Sequence, residues 1–247
     1  MIPLKTQDDL VMLRKSGKML AVVMQKLRER VKPGISTQEL DSLAEDLILQ
    51  DDAKPAFKGY KGYPATICAS VNNEIVHGIP GQRYLVEGDI ISIDLGIDYK
   101  GYFSDAAVTV AVGRIDSKIK KLIEVAKISL TEGIKKARAG NYLFDISHAI
   151  QGYVEKNGFS VVRQFVGHGI GNQLHEEPEV PNFGSPHKGP LLKKGMVLAI
   201  EPMINLGSWE AEILDNGWTA VTKDGLASAH FEHTVAITEN AAEILTI

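Results

Sequence analysis

A single cysteine, Cys68, stands among 247 residues. No intrachain disulfide can form, so packing must hold the fold, and such usage fits a reducing compartment. No window approaches 18 apolar residues, which leaves no membrane-spanning helix to expect. The opening MIPLKTQDDL lacks the apolar core of a signal peptide. Basic residues do not cluster either: the net charge is −4, no block of like charge stands out, and the footprint of a nucleic-acid binder is missing. Low-complexity tracts and flexible linkers are absent. The expectation is a soluble, cytoplasmic chain that binds neither nucleic acid nor membrane. With 44% hydrophobic residues it can bury a substantial core, as one large domain or two small ones.

Several catalytic signatures are missing too. There is no Gly-x-Ser-x-Gly elbow and no P-loop. A zincin HExxH starting at His175 fails because position 179 is Glu and Pro178 would break the helix it requires. A dinucleotide GxGxxG starting at Gly167 fails at Asn172.

What is present centres on residues 90–113. Two aspartates, Asp94 and Asp105, interrupt apolar β-type runs, and Asp98, Lys100 and Gly101 between them read as a hairpin turn. Pairing across that turn lets both carboxylates face one point. A lone carboxylate buried in a strand costs several kcal/mol, roughly, unless compensated. Two together call for a proton, an arginine or a cation, and no arginine lies between them. The alternative is that both sit solvated at strand ends.

The pattern recurs. Gly88 precedes Asp94 by six residues across an apolar run, as Gly195 precedes Glu201. Asp105 leads into Ala106–Val112 much as Glu232 leads into His233–Ile237. Pro33-Gly34 stands six residues before Leu40, as Ala139-Gly140 stands six before Ile146. Together these matches predict a duplication, with halves of about 1–113 and 114–247 and four carboxylates converging on a pseudo-two-fold axis. So many carboxylates in an apolar cleft require bound cations.

Elsewhere, Leu10, Leu13, Gly17, Leu20, Met24, Leu27 and Val31 keep helical spacing after a Thr6 cap. Ser36-Thr37-Gln38-Glu39 is a capping box for a second helix, running to about Leu49. The aromatic- and glycine-rich segment from Pro55 to Pro80 reads as a loop over the core edge or over a binding site. Further helices are expected at about 117–137 and 143–156, with His148 structural, and strands near 160–166, 196–205, 218–222 and 230–238. The gap between Glu201 and Glu232 holds Trp209 and Trp218 and is a candidate cleft wall. His168, flanked by Gly167 and Gly169, can be set tightly against a site. Cys68, between Ile67 and Ala69, reads as a small buried hydrophobe rather than a nucleophile.

Four carboxylates and at least one histidine, with no thiolate, suit Mn, Fe(II) or Co at least as well as Zn. Two bridged ions sharing a water suit hydrolysis of an amide or a phosphate ester. The lack of a Lys/Arg cluster argues against the phosphate.

The ordered set His77-Gly78, Asp94, Asp105, Gly167-His168-Gly169, His175-Glu176-Glu177-Pro178, Glu201-Pro202 and Phe231-Glu232-His233-Thr234 resembles type I methionine aminopeptidase along the whole chain. The resemblance implies an α+β "pita-bread" fold: two pseudo-symmetric halves sharing a curved antiparallel sheet with helices outside, in one catalytic domain spanning 1–247. It implies two divalent ions (Co, Mn, Fe(II) or Zn) on Asp94, Asp105, His168, Glu201 and Glu232, with Asp105 and Glu232 bridging. A bridging hydroxide would attack the first peptide bond. Glu201 would shuttle the proton, His175 would bind the carbonyl oxygen, and His77 would hold the amide nitrogen. Phe57, Tyr60, Tyr63, Cys68, Leu174 and Trp218 would form the methionine pocket, with Phe57 and Leu174 at variable positions. The short N-terminus and the missing insert match the bacterial single-domain form. The implied setting is cytoplasmic, a monomer acting on nascent polypeptide N-termini with transient ribosome contact. Rival readings are a proline-directed peptidase of the same fold and a non-catalytic binding module. Because Ile2 is not small, Met1 is expected to be retained.

Overall fold

The computed structural model describes residues 2–247; Met1, and with it the expected retention, lies outside them. Thr6 opens α1 (Gln7–Arg30) with a reciprocal cap, its side chain accepting from the Asp9 N–H while the Asp9 carboxylate accepts from the Thr6 N–H. Ser36 and Glu39 close the same box at the head of α2 (Thr37–Gln50). The second half repeats the arrangement with α3 (Ser117–Ile134) and α4 (Leu143–Lys156). His148 is exposed on α4 and has no structural burial to explain it.

The strands run β1 (Lys54–Pro55), β2 (Ile67–Val71), β3 (Glu74–Val76), β4 (Ile90–Tyr99) and β5 (Tyr102–Ala111), then β6 (Ser160–Val161), β7 (Gly167–Gly169), β8 (Glu176–Val180), β9 (Val197–Ile200) and β10 (Met203–Asn205). After them come β11 (Ala211–Ile213), β12 (Ala220–Thr222), β13 (Ser228–His230), β14 (His233–Ile237) and β15 (Ala242–Ile244). Every pairing among the described residues is antiparallel. β4 lies between β5 and β2 with β1 alongside, and β9 lies between β14 and β7 in the order β15-β14-β9-β7-β8. Two small sheets, β13-β10-β6 and β11-β12-β3, flank these.

The 55–80 segment is not only a loop, because it contains β2 and β3. All five β2 residues are buried, so Ile67-Cys68-Ala69-Ser70-Val71 shows no polar alternation, and its small side chains hide a strand that pairs Cys68 with Asp94. The expected 196–205 strand breaks at Glu201-Pro202, where proline withholds the ladder N–H. The 230–238 strand breaks at Phe231-Glu232, and 160–166 keeps only its first residues as β6.

Period-two alternation decides what each face of β4 does. Ile91, Ile93, Leu95 and Ile97 join Leu20, Leu27, Leu40 and Ile48 of α1 and α2 in one core. Ser92, Asp94 and Gly96 therefore face the other way. In the second half, Leu122, Leu130, Ile146 and Ile150 of α3 and α4 pack on Leu198, Ile200 and Val235. Each fully buried aliphatic contributes about 1.5–3 kcal/mol, enough together to offset carboxylates held on the opposite faces.

The two halves meet where β5 approaches β14. Thr234 Oγ1 accepts the Asp105 N–H at 2.9 Å and donates to the Asp105 carbonyl at 2.8 Å, while the Glu232 N–H donates to Ala107 O at 2.9 Å. A threonine hydroxyl thus stands in for a backbone pair across the seam.

Candidate active site

The β4–β5 hairpin closes through Lys100 and Gly101, both with positive φ (56° and 83°), a twist that suits adjoining strands, and Asp98 Oδ1 accepts the Gly101 N–H at 2.7 Å. Its register sets Gly96 opposite Asp105 and Asp94 opposite Ala107, so the two aspartates are diagonal neighbours on one face. Gly96 matters here because a Cβ on it would lie 2.8 Å from the Phe57 ring, which occupies that space as a pocket wall.

His168 enters from β7. A Cβ on Gly167 would collide with the Ala199 carbonyl and one on Gly169 with the Glu177 carbonyl, so both glycines are needed for β7 to sit between β8 and β9. The His168 Nδ1 lies 2.9 Å from the Gly169 carbonyl. That contact puts the proton on Nδ1 and leaves Nε2 free as a ligand. Nε2 is 3.6 Å from Glu201 Oε1 and 4.0 Å from Asp105 Oδ2. Asp105, His168 and Glu232 offer donor atoms all within 4.8 Å of one another. Asp94 and Glu201 line the same cavity beside this trio.

Burial pushes all four carboxyl groups above their ordinary values: Asp94 and Glu201 rise to about 7, and Asp105 and Glu232 go well above theirs, with repulsion from neighbouring carboxylates adding to desolvation at Asp94, Asp105 and Glu232. Asp94 Oδ1, Asp105 Oδ1 and Glu232 Oε1 are buried and find no hydrogen-bond partner among the described residues. Such atoms need a proton or a cation. Carboxylate oxygens with one unprotonated imidazole nitrogen fit a divalent metal such as Mn, Fe(II), Co or Zn.

The cavity, about 230 Å³, is lined by this cluster and by the largely apolar wall of Phe57, Tyr60, Tyr63, Cys68, Leu174 and Trp218, with His77 and His175 also facing it. The structure thus brings together every site residue expected from the sequence. The His175 ring stacks on Tyr60 at 5.2 Å and tilts over His168 at 4.1 Å. Desolvation is the largest cause that holds its imidazole down to about 3, and the nearby Lys61 charge adds to it. His77, at φ 59°, meets Phe165 and Trp218 edge-on, and burial lowers it to about 4. Burial pushes the Cys68 thiol up, which suits a wall rather than a nucleophile.

Of the two tryptophans proposed for the cleft wall only Trp218 lines it; Trp209 is exposed and stacks on Arg163 at 4.9 Å. Sequence reasoning missed Lys61 at the cavity rim and Phe165 against His77. It also missed His230, buried behind Glu201 with Nε2 at 3.6 Å from Oε2. Its only sequence signal is its place two residues before Glu232.

The sequence profile of Metallopeptidase family M24 matches residues 11–239. The chain belongs to this family. Among M24 relatives, the methionine aminopeptidase of Clostridium perfringens (strain 13 / Type A) is 55% identical over 247 residues, covering 100% of this chain and 99% of the relative. A crystal structure of methionine aminopeptidase from Thermotoga maritima superposes with a TM-score of 0.98 at 47% identity, covering 100% of this chain and 99% of that one. The prolidase from Pyrococcus furiosus shares the fold, with a TM-score of 0.81 at 24% identity and 65% of its length covered. The architecture is accordingly the α+β pita-bread fold of M24 enzymes. The chain is an M24 metal-dependent peptidase.

Proposed function

We propose that this enzyme removes the N-terminal methionine from polypeptides whose second residue is small, as a single catalytic unit whose halves, about 1–113 and 114–247, each supply part of the site. One observation carries the reading: a largely apolar, aromatic-walled slot shares its cavity with a buried cluster of four carboxylates and a histidine. An unbranched thioether suits that slot, since sulfur–aromatic contacts add about 0.3–1.5 kcal/mol.

Asp94, Asp105, His168, Glu201 and Glu232 would hold two divalent ions, of Co, Mn, Fe(II) or Zn. When bound they supply Lewis acidity and a water of lowered pKa. Glu201 takes the proton of the attacking water and returns it to the leaving amine nitrogen. His175 donates to the carbonyl oxygen as it gains negative charge, and the stacked Tyr60 fixes the ring for that task. His77 holds the scissile amide nitrogen, its ring set by Phe165 and Trp218. Phe57 and Trp218 exclude water from the slot. The substrates in this reading are nascent chains met in the cytoplasm by a monomer, with transient ribosome contact.

The test is release of free methionine from Met-Ala-Ser by metal-stripped protein titrated with Mn, Co, Fe(II) and Zn in turn, beside a Gly-Pro substrate and Glu201→Ala. Activity should return with metal, prefer Met-Ala-Ser and vanish in the variant. Preference for Gly-Pro, or no release with any ion from folded protein, would defeat the assignment.

A further inference from the structure

His230 ends β13 and pairs across to Met203, two residues past Glu201, so its ring reaches back toward that carboxylate. Its main chain is held from both sides by Thr109, whose hydroxyl accepts the His230 N–H at 2.8 Å and donates to its carbonyl at 2.9 Å. Thr109 in turn meets the Ser92 hydroxyl at 2.8 Å, which fastens His230 to the β4–β5 hairpin. The residue is 1% exposed, and its Nε2 has no hydrogen-bond partner among the described residues. The contact of Nε2 with Glu201 Oε2, at 3.6 Å, is roughly half an ångström beyond a hydrogen bond, a gap that a small rotation of either group closes. Glu201 Oε1, on the other side, faces His168 at 3.6 Å. The carboxylate is therefore bracketed by two imidazoles, one lining the cavity and one behind it.

We propose that His230 is a positioning residue whose Nε2–H donates to Glu201 Oε2 and fixes the carboxylate so that Oε1 is presented to the cavity. A glutamate has three side-chain torsions and would otherwise lose its aim. The seam between the halves locates the ring, so Glu201 is oriented by the first half although it belongs to the second. This inference rests on Glu201 acting as ligand and proton carrier.

The test compares His230→Leu, His230→Asn and His230→Gln with the parent protein. Two quantities are read: Mn(II) affinity of the metal-free protein by calorimetry, and kcat and KM separately on Met-Ala-Ser. Loss of an outer hydrogen-bond partner typically costs about 10–100-fold. That loss should appear in kcat and in Mn(II) affinity for Leu and for the shorter Asn, with KM little changed. Gln, whose amide N–H reaches as far as Nε2, should recover most of both. A Leu variant equal to the parent in both readouts overturns the proposal, as does a folded Gln variant as impaired as Leu. If Leu does not fold, the Asn–Gln difference decides in the same way. A parent protein that releases no methionine would fail the peptidase reading, while the Mn(II) affinities would still decide the role of His230.

Discussion

Stripping divalent metal should destabilise the protein by an amount that grows with pH. The cause lies in the four carboxyl groups facing one cavity, of which Asp94 moves from 3.8 to about 7 and Glu201 from 4.5 to about 7 through burial. A carboxyl group that is harder to ionise when folded opposes folding only where the unfolded chain would have lost the proton. The penalty is absent below about pH 4, grows between about pH 4 and 7, and is complete above about pH 7. At about 1.4 kcal/mol per pH unit, the Asp94 displacement alone corresponds to about 4 kcal/mol. The neighbouring groups share protons, so their contributions do not add, and about 3–4 kcal/mol is the working figure. For a chain of this size each kcal/mol moves Tm by about 2–4 °C, so the displacement should be on the order of 10 °C. Bound cations remove the repulsion and stabilise the folded state further by mass action. The assay is thermal melting, by circular dichroism, of chelator-treated and Mn(II)-loaded protein between about pH 5 and pH 8. The gap in Tm should widen from about pH 5 to about pH 7 and then level off, and Asp105→Asn should narrow it. Parallel curves for the two forms across that range would refute the reasoning.

Three other perturbations probe the scaffold. Thr234→Val removes both hydroxyl bonds to the Asp105 backbone; it should cost about 1–3 kcal/mol in urea unfolding, because a buried N–H is left without an acceptor, and an unchanged midpoint would contradict that. Gly96→Ala places a methyl 2.8 Å from Phe57 and 3.0 Å from Ala56. It should lower kcat/KM on methionine peptides while leaving Mn(II) affinity intact, and parental kcat/KM would show that the ring is not confined. Lys5→Met removes the cation beside the Glu176 carboxylate, now 2.7 Å from Lys5 Nζ with side chains only 4% and 8% exposed, and leaves it the Asn172 and Gln173 N–H groups; a loss of up to about 3 kcal/mol in urea unfolding is expected. Since Glu176 follows His175, kcat should fall as well.

The helix starts were readable because caps are local: Thr6 with Asp9 and Ser36 with Glu39 declare themselves within four residues. The hairpin was readable for the same reason, with alternation on both sides of a two-residue turn. β2 and β3 were not, because strands made of Ile-Cys-Ala-Ser-Val and Glu-Ile-Val owe their pairing to partners far along the chain. The break at Glu232 was not visible in its apolar run and the one at Glu201 was marked only by Pro202, although both carboxylates sit where a strand ends while Asp94 and Asp105 lie within continuous ones. The site residues themselves were legible as types and spacings. What those could not disclose was a group with no chemistry of its own to announce, such as His230 behind Glu201 or Gly96 beneath Phe57.

The seam has a consequence in time as well as in space. Asp105 is joined to Thr234 across 129 positions, Thr109 to His230 across 121, and Lys5 to Glu176 across 171. Each of these contacts needs residues from both halves, and loop-closure entropy must be met before contacts of such long range repay it. A polypeptide emerging from synthesis holds Asp94 and Asp105 early, yet it lacks Glu232 and the hydroxyl that pins Asp105 until its final segment is made. The first half alone therefore carries two unsatisfied carboxylates on its β4–β5 hairpin and no complete site. The cluster of four carboxylates is complete only once Glu232 is in place.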